Sequence, residues 1–345
     1  MLILIFILFL FVACLSLIEE RLEKRMRQYI FITVAGVLAV ITGLRPDDID
    51  HDYGAYVNMY LFNDYDITVE YSFVLICKFV QAFFNHYVFL FLIYAFIAII
   101  LDSFAITRLS SLWCLSFLVF LGTSYLMHCM NQIRIAVSAG VFLCAVPYLA
   151  DKRRWKYLLM MLLAVFFHYT AIVLLGLLFL DNKPLTRLKK AFWYSIVPIS
   201  YLFYILNIDI LMSIPIPYFE EKLEIYERLQ TSGVGDEINP FNLVLLVKIA
   251  ILYFIIWRRD LIEQSNRYVN VLIKIEILSL ASFVFLSGLP VVAFRMNELF
   301  GVAEVILYPL LFYTVKPEWF AKTIVILLAL ALMLISIFYN DILFH

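Results

Sequence analysis

The sequence predicts an all-α polytopic membrane protein, and three observations predict it. Hydrophobic residues make up 65% of the 345 residues and charged residues only 15%, too apolar a balance for a chain that folds in water. Apolar runs close to the roughly 20 residues that cross a bilayer as a helix recur from end to end. Lys and Arg are gathered into a few short loops, as expected where their bias sets orientation in a membrane. The formal net charge of -1 gives no basis for a nucleic-acid partner, and none is expected.

The first run, residues 2 to 18, has no basic region ahead of it and is followed by Glu19, Glu20, Arg21, Lys24, Arg25 and Arg27. It is expected to persist as a helix, not to be cleaved as a leader. Further spans are expected at 29 to 44, 87 to 107, 112 to 128, 131 to 150, 191 to 207, 241 to 257, 269 to 288, 298 to 315 and 320 to 340, about ten in all. Basic clusters at 21 to 27, at Lys152, Arg153, Arg154 and Lys156, and at Lys183, Arg187, Lys189 and Lys190 mark cytoplasmic loops. Arg258, Arg259, Arg267, Lys274 and Lys316 mark two more, which leaves both termini outward.

Two stretches do not fit a simple count. Residues 157 to 180 form one apolar run whose two flanks both carry cytoplasmic signals, so a hairpin of two half-length helices is expected there, bent near His168, Tyr169 and Thr170. Residues 69 to 85 are short and interrupted by Lys78 and Gln81, and are expected to form an outer-face interfacial or half-inserted helix. No repeat and no composition shift divides the chain. Residues 1-345 are one integral membrane domain with outward loops at 45-68 and 208-240. Cys14, Cys77, Cys114, Cys129 and Cys144 lie in or beside apolar runs without CxxC spacing, which predicts buried free thiols.

Three arginines, Arg45, Arg134 and Arg295, fall at the same end of these spans, and a charged residue inside an apolar helix is a functional candidate by default. Arg134 follows His128-Cys129-Met130-Asn131-Gln132-Ile133 and lies within the first turn of a span; the structural alternative is snorkelling to the interface. Arg295 has Asn297 and Glu298 beside it, and an internal salt bridge is its structural alternative. Guanidinium forks suit phosphate, and three at one membrane face suggest a diphosphate such as that of a polyprenyl carrier lipid.

The segment from Gly43 to Tyr56 carries Arg45, Asp47, Asp48, Asp50, His51, Asp52, Tyr53 and Tyr56 beside that same face. Such a group binds sugar hydroxyls or a divalent ion, or is simply a solvated acidic loop. The spacing of Asp48, Asp50 and Asp52 starts like an EF-hand, but the Gly and Glu that complete one are missing, so no metal is expected. His168, among Phe166, Phe167 and Tyr169, is a core histidine, a pocket-lining donor or a base. No Walker A loop, GxSxG elbow or HExxH helix is present, which argues against ATP-driven transport and against serine or zinc hydrolysis.

The order of these pieces resembles the EpsG-type family of membrane polysaccharide polymerases, related in role to the Wzy O-antigen polymerases. The resemblance rests on Gly43-Leu44-Arg45 followed by Asp52-Tyr53 and Tyr56, on Glu70 with Phe73, on Ile133-Arg134 with Ala136, on Phe167-His168 with Ala171, and on Arg295 with Phe300. Asp50 stands where the family usually has Gly, and Ile135 where it often has a polar residue. The resemblance implies a GT-C-like polymerase of the bacterial inner membrane that moves a growing glycan from undecaprenyl diphosphate onto a lipid-linked repeat unit at the periplasmic face, without metal or other cofactor.

On that expectation Arg134 and Arg295 hold diphosphate, with Gln132 and Glu298 beside them. Arg45 supports the loop or binds a phosphate, and Tyr53 and Tyr56 contact sugar. Asp52 or Glu70 accepts the proton of the attacking hydroxyl, with His168 as pocket wall or alternative base. The partners would be the undecaprenyl-diphosphate-linked oligosaccharide and the lipid bilayer, with room for a chain-length regulator alongside. A lipid-linked oligosaccharide flippase and a sugar acyltransferase are the competing readings.

Overall fold

The computed structural model describes all residues except 48, 64, 66–68, 208–237, 341 and 343–345; most of the outward loop expected at 208-240 therefore lies outside the described residues. The described chain is helical from end to end. Its N-terminal part consists of α1 (Leu2–Ile18), α2 (Lys24–Gly43), α3 (Tyr53–Phe62), α4 (Tyr71–Phe83) and α5 (Val88–Leu109). Next comes α6 (Trp113–Phe120), which widens without a break into a π-helix over Leu121–Asn131, and then α7 (Ile133–Ala150) and α8 (Arg154–Phe167). A 3₁₀ helix (Tyr169–Phe179), α9 (Arg187–Ile205), α10 (Leu243–Trp257), α11 (Arg259–Glu263) and α12 (Val269–Phe285) follow. The C-terminal part is α13 (Pro290–Gly301), α14 (Glu304–Leu307), a second 3₁₀ helix (Tyr308–Thr314) and α15 (Glu318–Phe338).

Among the described residues six helical stretches are long and apolar enough to cross a membrane: Leu2–Arg21, Lys24–Gly43, Val88–Leu109, Trp113–Asn131, Ile133–Ala150 and Glu318–Phe338. Of the other expected spans, those at 191 to 207, 241 to 257 and 269 to 288 form α9, α10 and α12, of 19, 15 and 17 residues. The span expected at 298 to 315 is not one helix. The chain passes from α13 through the single turn of α14 into the 3₁₀ segment, because Gly301 weakens the helix and Pro309 has no backbone N–H to continue it. The expected turn at 289 to 297 is correspondingly helical, since Pro290 starts α13 and carries Arg295, Asn297 and Glu298 into its body.

Burial separates centre from periphery. Every residue of α6 is buried and so is nearly all of α12, whereas α1, α8 and α9 show apolar side chains outward, with Trp155 75% and Leu188 85% exposed. Helices apolar on their outer faces as well as their inner ones suit a lipid surround. Close backbone approach brings some of them together: a Cβ at Gly43 would lie 2.7 Å from the Leu92 Cα, so α2 meets α5 only because that side chain is absent. Gly122 does the same for the π-helix against the Ala329 carbonyl of α15.

The run at 157 to 180 turns back on itself. His168 is extended (φ -154°, ψ 121°) between α8 and the 3₁₀ helix, and the Tyr157 hydroxyl donates to the Leu174 carbonyl at 2.7 Å across the two arms. The two ends of the run meet: Lys152 lies 3.2 Å and Lys274 2.9 Å from the Asp181 carboxylate, and Arg267 lies 2.6 Å from Asp151. Burial alone would raise the Asp181 carboxyl, but Lys274 and Lys152 hold it below its ordinary value. The 18 residues of α7 separate this charged network from Arg134 by about 25 Å at 1.5 Å per residue, and the 14 residues of α8 bring His168 back toward Arg134. The expected short helix at 69 to 85 is α4, 13 residues long, and the expected acidic loop at 45-68 contains α3.

Candidate functional site

Three segments far apart in sequence deliver one charged cluster. Glu70 is the N-cap of α4, Arg134 lies in the first turn of α7, and His168 occupies the break after α8. One Glu70 oxygen takes the Arg134 guanidinium; the other lies 2.6 Å from His168 Nδ1 and accepts the Tyr169 N–H at 3.2 Å. The carboxylate is only 1% exposed, the arginine 18% and the histidine 14%. Burial alone would raise the Glu70 carboxyl, but the His168 contact and the Arg134 charge outweigh it and hold the group below its ordinary value. Both Glu70 oxygens are thus engaged. The Nδ1 approach is an ion-pair contact without hydrogen-bond geometry, and His168 Nε2 and Arg134 Nε have no partner. Ser138 pins the site from behind, donating to the Ala164 carbonyl at 2.8 Å and so tying α7 to α8.

A second group faces the first. Arg295 lies 3.1 Å from one Glu298 oxygen, and the Gln132 amide donates to the other at 3.4 Å. Asp52, at the N-cap of α3, lies within electrostatic reach of both Arg295 and Arg134. Its backbone N–H donates to the Asn131 side chain at 3.1 Å. Burial raises the Asp52 carboxyl above its ordinary value; Arg295 opposes this, Asp50 adds to it, and Arg134 and His51 oppose it. The π-helix ends at Asn131 and Gln132, so its C-terminus holds Asp52 with one residue and Glu298 with the next. Wide helical turns of this kind recur at functional sites.

Arg45 and Tyr53 lie in a buried group of their own, and Tyr56 packs beneath Arg134. The Arg45 side chain is wholly buried, 2.6 Å from Asp50 and bonded to the Thr42 carbonyl at 3.2 Å, with its guanidinium 4.4 Å from the Phe91 ring centroid. Of the two expected roles, loop support or phosphate, this geometry matches the first. Tyr53 stacks on Phe91 at 4.3 Å, and the Tyr56 ring lies 5.6 Å from the Arg134 guanidinium; both are 4% exposed, so they pack the arginines and offer no ring face to a sugar.

Removing one partner of a buried ion pair costs about 3–5 kcal/mol. Arg45→Met is therefore expected to lower the amount of protein in the membrane, and Arg45→Met with Asp50→Leu to restore much of it, both read by immunoblot. A fully accumulating Arg45→Met protein with altered activity would instead put Arg45 in contact with substrate.

Sequence reasoning passed over Asn131, which has no charge to mark it, and three charges within expected spans, Lys248, Glu276 and Glu304. A charge in an apolar run is the signal that could have found them.

No curated protein and no solved structure matches the chain. The profile of the EpsG family matches residues 28–344, nearly its whole length, and the chain belongs to that family. It is thus a glycosyltransferase-like membrane protein of the polysaccharide-polymerase type.

Proposed function

Proceeding from membership of the EpsG family, we propose that this protein transfers a growing glycan from undecaprenyl diphosphate onto the terminal sugar of a lipid-linked repeat unit, at the periplasmic face of the bacterial inner membrane. The observation that carries the reading is the meeting of Arg134, Glu70 and His168 from three segments, with Arg295 across Asp52. Two guanidinium groups with a carboxylate in electrostatic reach of both suit a reaction that expels an anion and takes up a proton.

In the proposed step an acceptor hydroxyl oxygen attacks the anomeric carbon of the donor glycan. The bond from that carbon to the diphosphate oxygen breaks, the electron pair leaves with undecaprenyl diphosphate, and the hydroxyl proton passes to a base. Arg134 and Arg295 stabilise the charge that develops on the leaving diphosphate, so no metal need do so. Asp52 is the base: Glu70 is fully engaged, whereas no described side chain engages the Asp52 carboxylate, whose proton affinity burial has increased. A second reading has one observation in its favour. The Glu70 carboxylate lies 2.6 Å from His168 Nδ1 and Nε2 is unpartnered, an arrangement that suits a base equally.

The Lys and Arg around Asp151 and Asp181 support a cytoplasmic placement of that end, with the Arg134 end and both termini periplasmic. The test is a gel of surface polysaccharide from a strain lacking the gene, resolving single repeats from long chains. Material shortened to one repeat is expected. Loss of all repeats would favour a flippase, and an unchanged ladder would overturn the proposal.

A further inference from the structure

A cavity of about 380 Å³ lies between the π-helix, α10, α13 and α15, within the range of pockets that hold small molecules, about 300–1,000 Å³. Lys248 and Glu304 pair in its wall at 2.7 Å, with Glu276 in electrostatic reach of both. Glu298 joins the cavity to the charged site, since it lines the one and pairs with Arg295 in the other. His128 does the same from the π-helix: it lines the cavity and lies within electrostatic reach of both Arg295 and His168.

The last wide turn of the π-helix sets this position. It closes with the Gln132 N–H donating to the Met127 carbonyl, five residues back, at 2.9 Å. His128 therefore stands about one turn before Asn131 and Gln132, the residues that hold Asp52 and Glu298. It is only 4% exposed, yet among the described residues no hydrogen bond or ion pair engages its ring. Polar groups in a packed interior are hydrogen-bonded as a rule. This ring borders a cavity, so the partner it suits is a molecule that enters there.

Both guanidinium groups of the site are already matched by a carboxylate, Arg134 by Glu70 and Arg295 by Glu298. A diphosphate spreads its charge over several oxygens and calls for donors beyond those shared with two carboxylates. An imidazole carries an N–H on one nitrogen when neutral and on both when charged, so His128 is a donor in either state. A donor fixed in a buried site, where charge develops on a leaving group, is worth far more than one in water.

We propose that His128 is a third ligand of the leaving diphosphate, donating a ring N–H to one of its oxygens beside Arg295. The hydrogen bond strengthens as the bond to the anomeric carbon breaks and its electron pair moves onto the diphosphate; His128 transfers no proton. The assignment rests on the polymerase reading above and adds a residue to that same site.

Two variants separate this role from packing. His128→Gln keeps an N–H donor and loses the ring, whereas His128→Phe keeps a ring and loses the donor. Full-length proteins are compared at equal amounts in proteoliposomes with lipid-linked repeat units extracted from a strain lacking this gene, and undecaprenyl diphosphate is added as product inhibitor. His128→Phe is expected to extend chains about 100-fold more slowly than the unaltered protein, or worse. It should also need at least about tenfold more undecaprenyl diphosphate for half-inhibition. His128→Gln is expected to stay within about tenfold of the unaltered protein in both readouts.

Unaltered extension by His128→Phe would overturn the assignment. So would a His128→Gln protein that accumulates normally and is slowed about 100-fold. Slow extension by His128→Phe with unchanged inhibition would also overturn it, and would place His128 against the sugar. An unaltered protein that never extends chains from those units would overturn the polymerase reading and this inference with it, so its own activity tells the two failures apart.

Discussion

Arg134→Ala is expected to abolish long polymer while single repeat units still reach the surface, a loss of about 100- to 1,000-fold in chain extension if Arg134 stabilises the leaving diphosphate. The substitution also strips Glu70 of its cation, so lowered accumulation of the protein is expected alongside. Arg134→Lys separates the two effects. It keeps the charge that neutralises Glu70 but loses the planar fork that grips two oxygens at once, so it should accumulate close to normally and still extend chains poorly. The readout is polymer length on a gel beside the amount of protein in the membrane. Normal length from both variants at normal protein levels would remove Arg134 from the site.

Asp52→Asn has the second large expected effect, a fall of about 100- to 10,000-fold in the rate of extension by purified protein. The sign of the pH dependence follows from the environment of the carboxylate. A base must be deprotonated, and burial has raised Asp52 above the ordinary carboxylate range. Activity should therefore fall on acidification at a pH above that at which an exposed aspartate takes up its proton, and recover on return to neutrality. In Asp52→Asn the residual activity should lose that acid limb. Full activity with the limb intact would move the role to His168, and His168→Gln would then remove the limb in its place.

Much of the architecture was legible in the residues. The His168 bend was readable because two basic clusters on either side of one apolar run cannot both face the cytoplasm unless the run turns back, and the chain does so at that residue. The short helix at Tyr71–Phe83 was readable from Lys78 and Gln81, which make a crossing unfavourable. Other features leave no such trace. A π-helix differs from an α-helix in closing its hydrogen bonds one residue further along the chain, and nothing in Leu121–Asn131 marks it. The break between Gly301 and Pro309 was hidden inside a run apolar enough to pass for a span.

At the site, sequence could nominate arginines without telling an engaged one from a free one. Arg45 and Arg134 look alike as letters, yet Arg45 is enclosed by Asp50, Thr42 and Phe91 while Arg134 keeps a partly open face. Glu70 was nominated as a base beside Asp52, and nothing in its letters shows that both of its oxygens already have partners. The Lys248, Glu276 and Glu304 cluster escaped because its members come from three separate helices, each contributing a single charge with no motif around it.

The hairpin carries a consequence for how the protein is assembled in the bilayer. A segment whose two ends return to the same side has no crossing of its own to commit it to the membrane, and the backbone near its bend is tolerable at depth only when protein surrounds it. Its insertion is therefore expected to follow that of α4 and α7, with the Glu70–His168 contact among the last to form. A chain arrested before that point would display every conventional span and no finished cluster. Closure of the cluster would in this sense be a late checkpoint of biogenesis, set by the same carboxylate that orders the site.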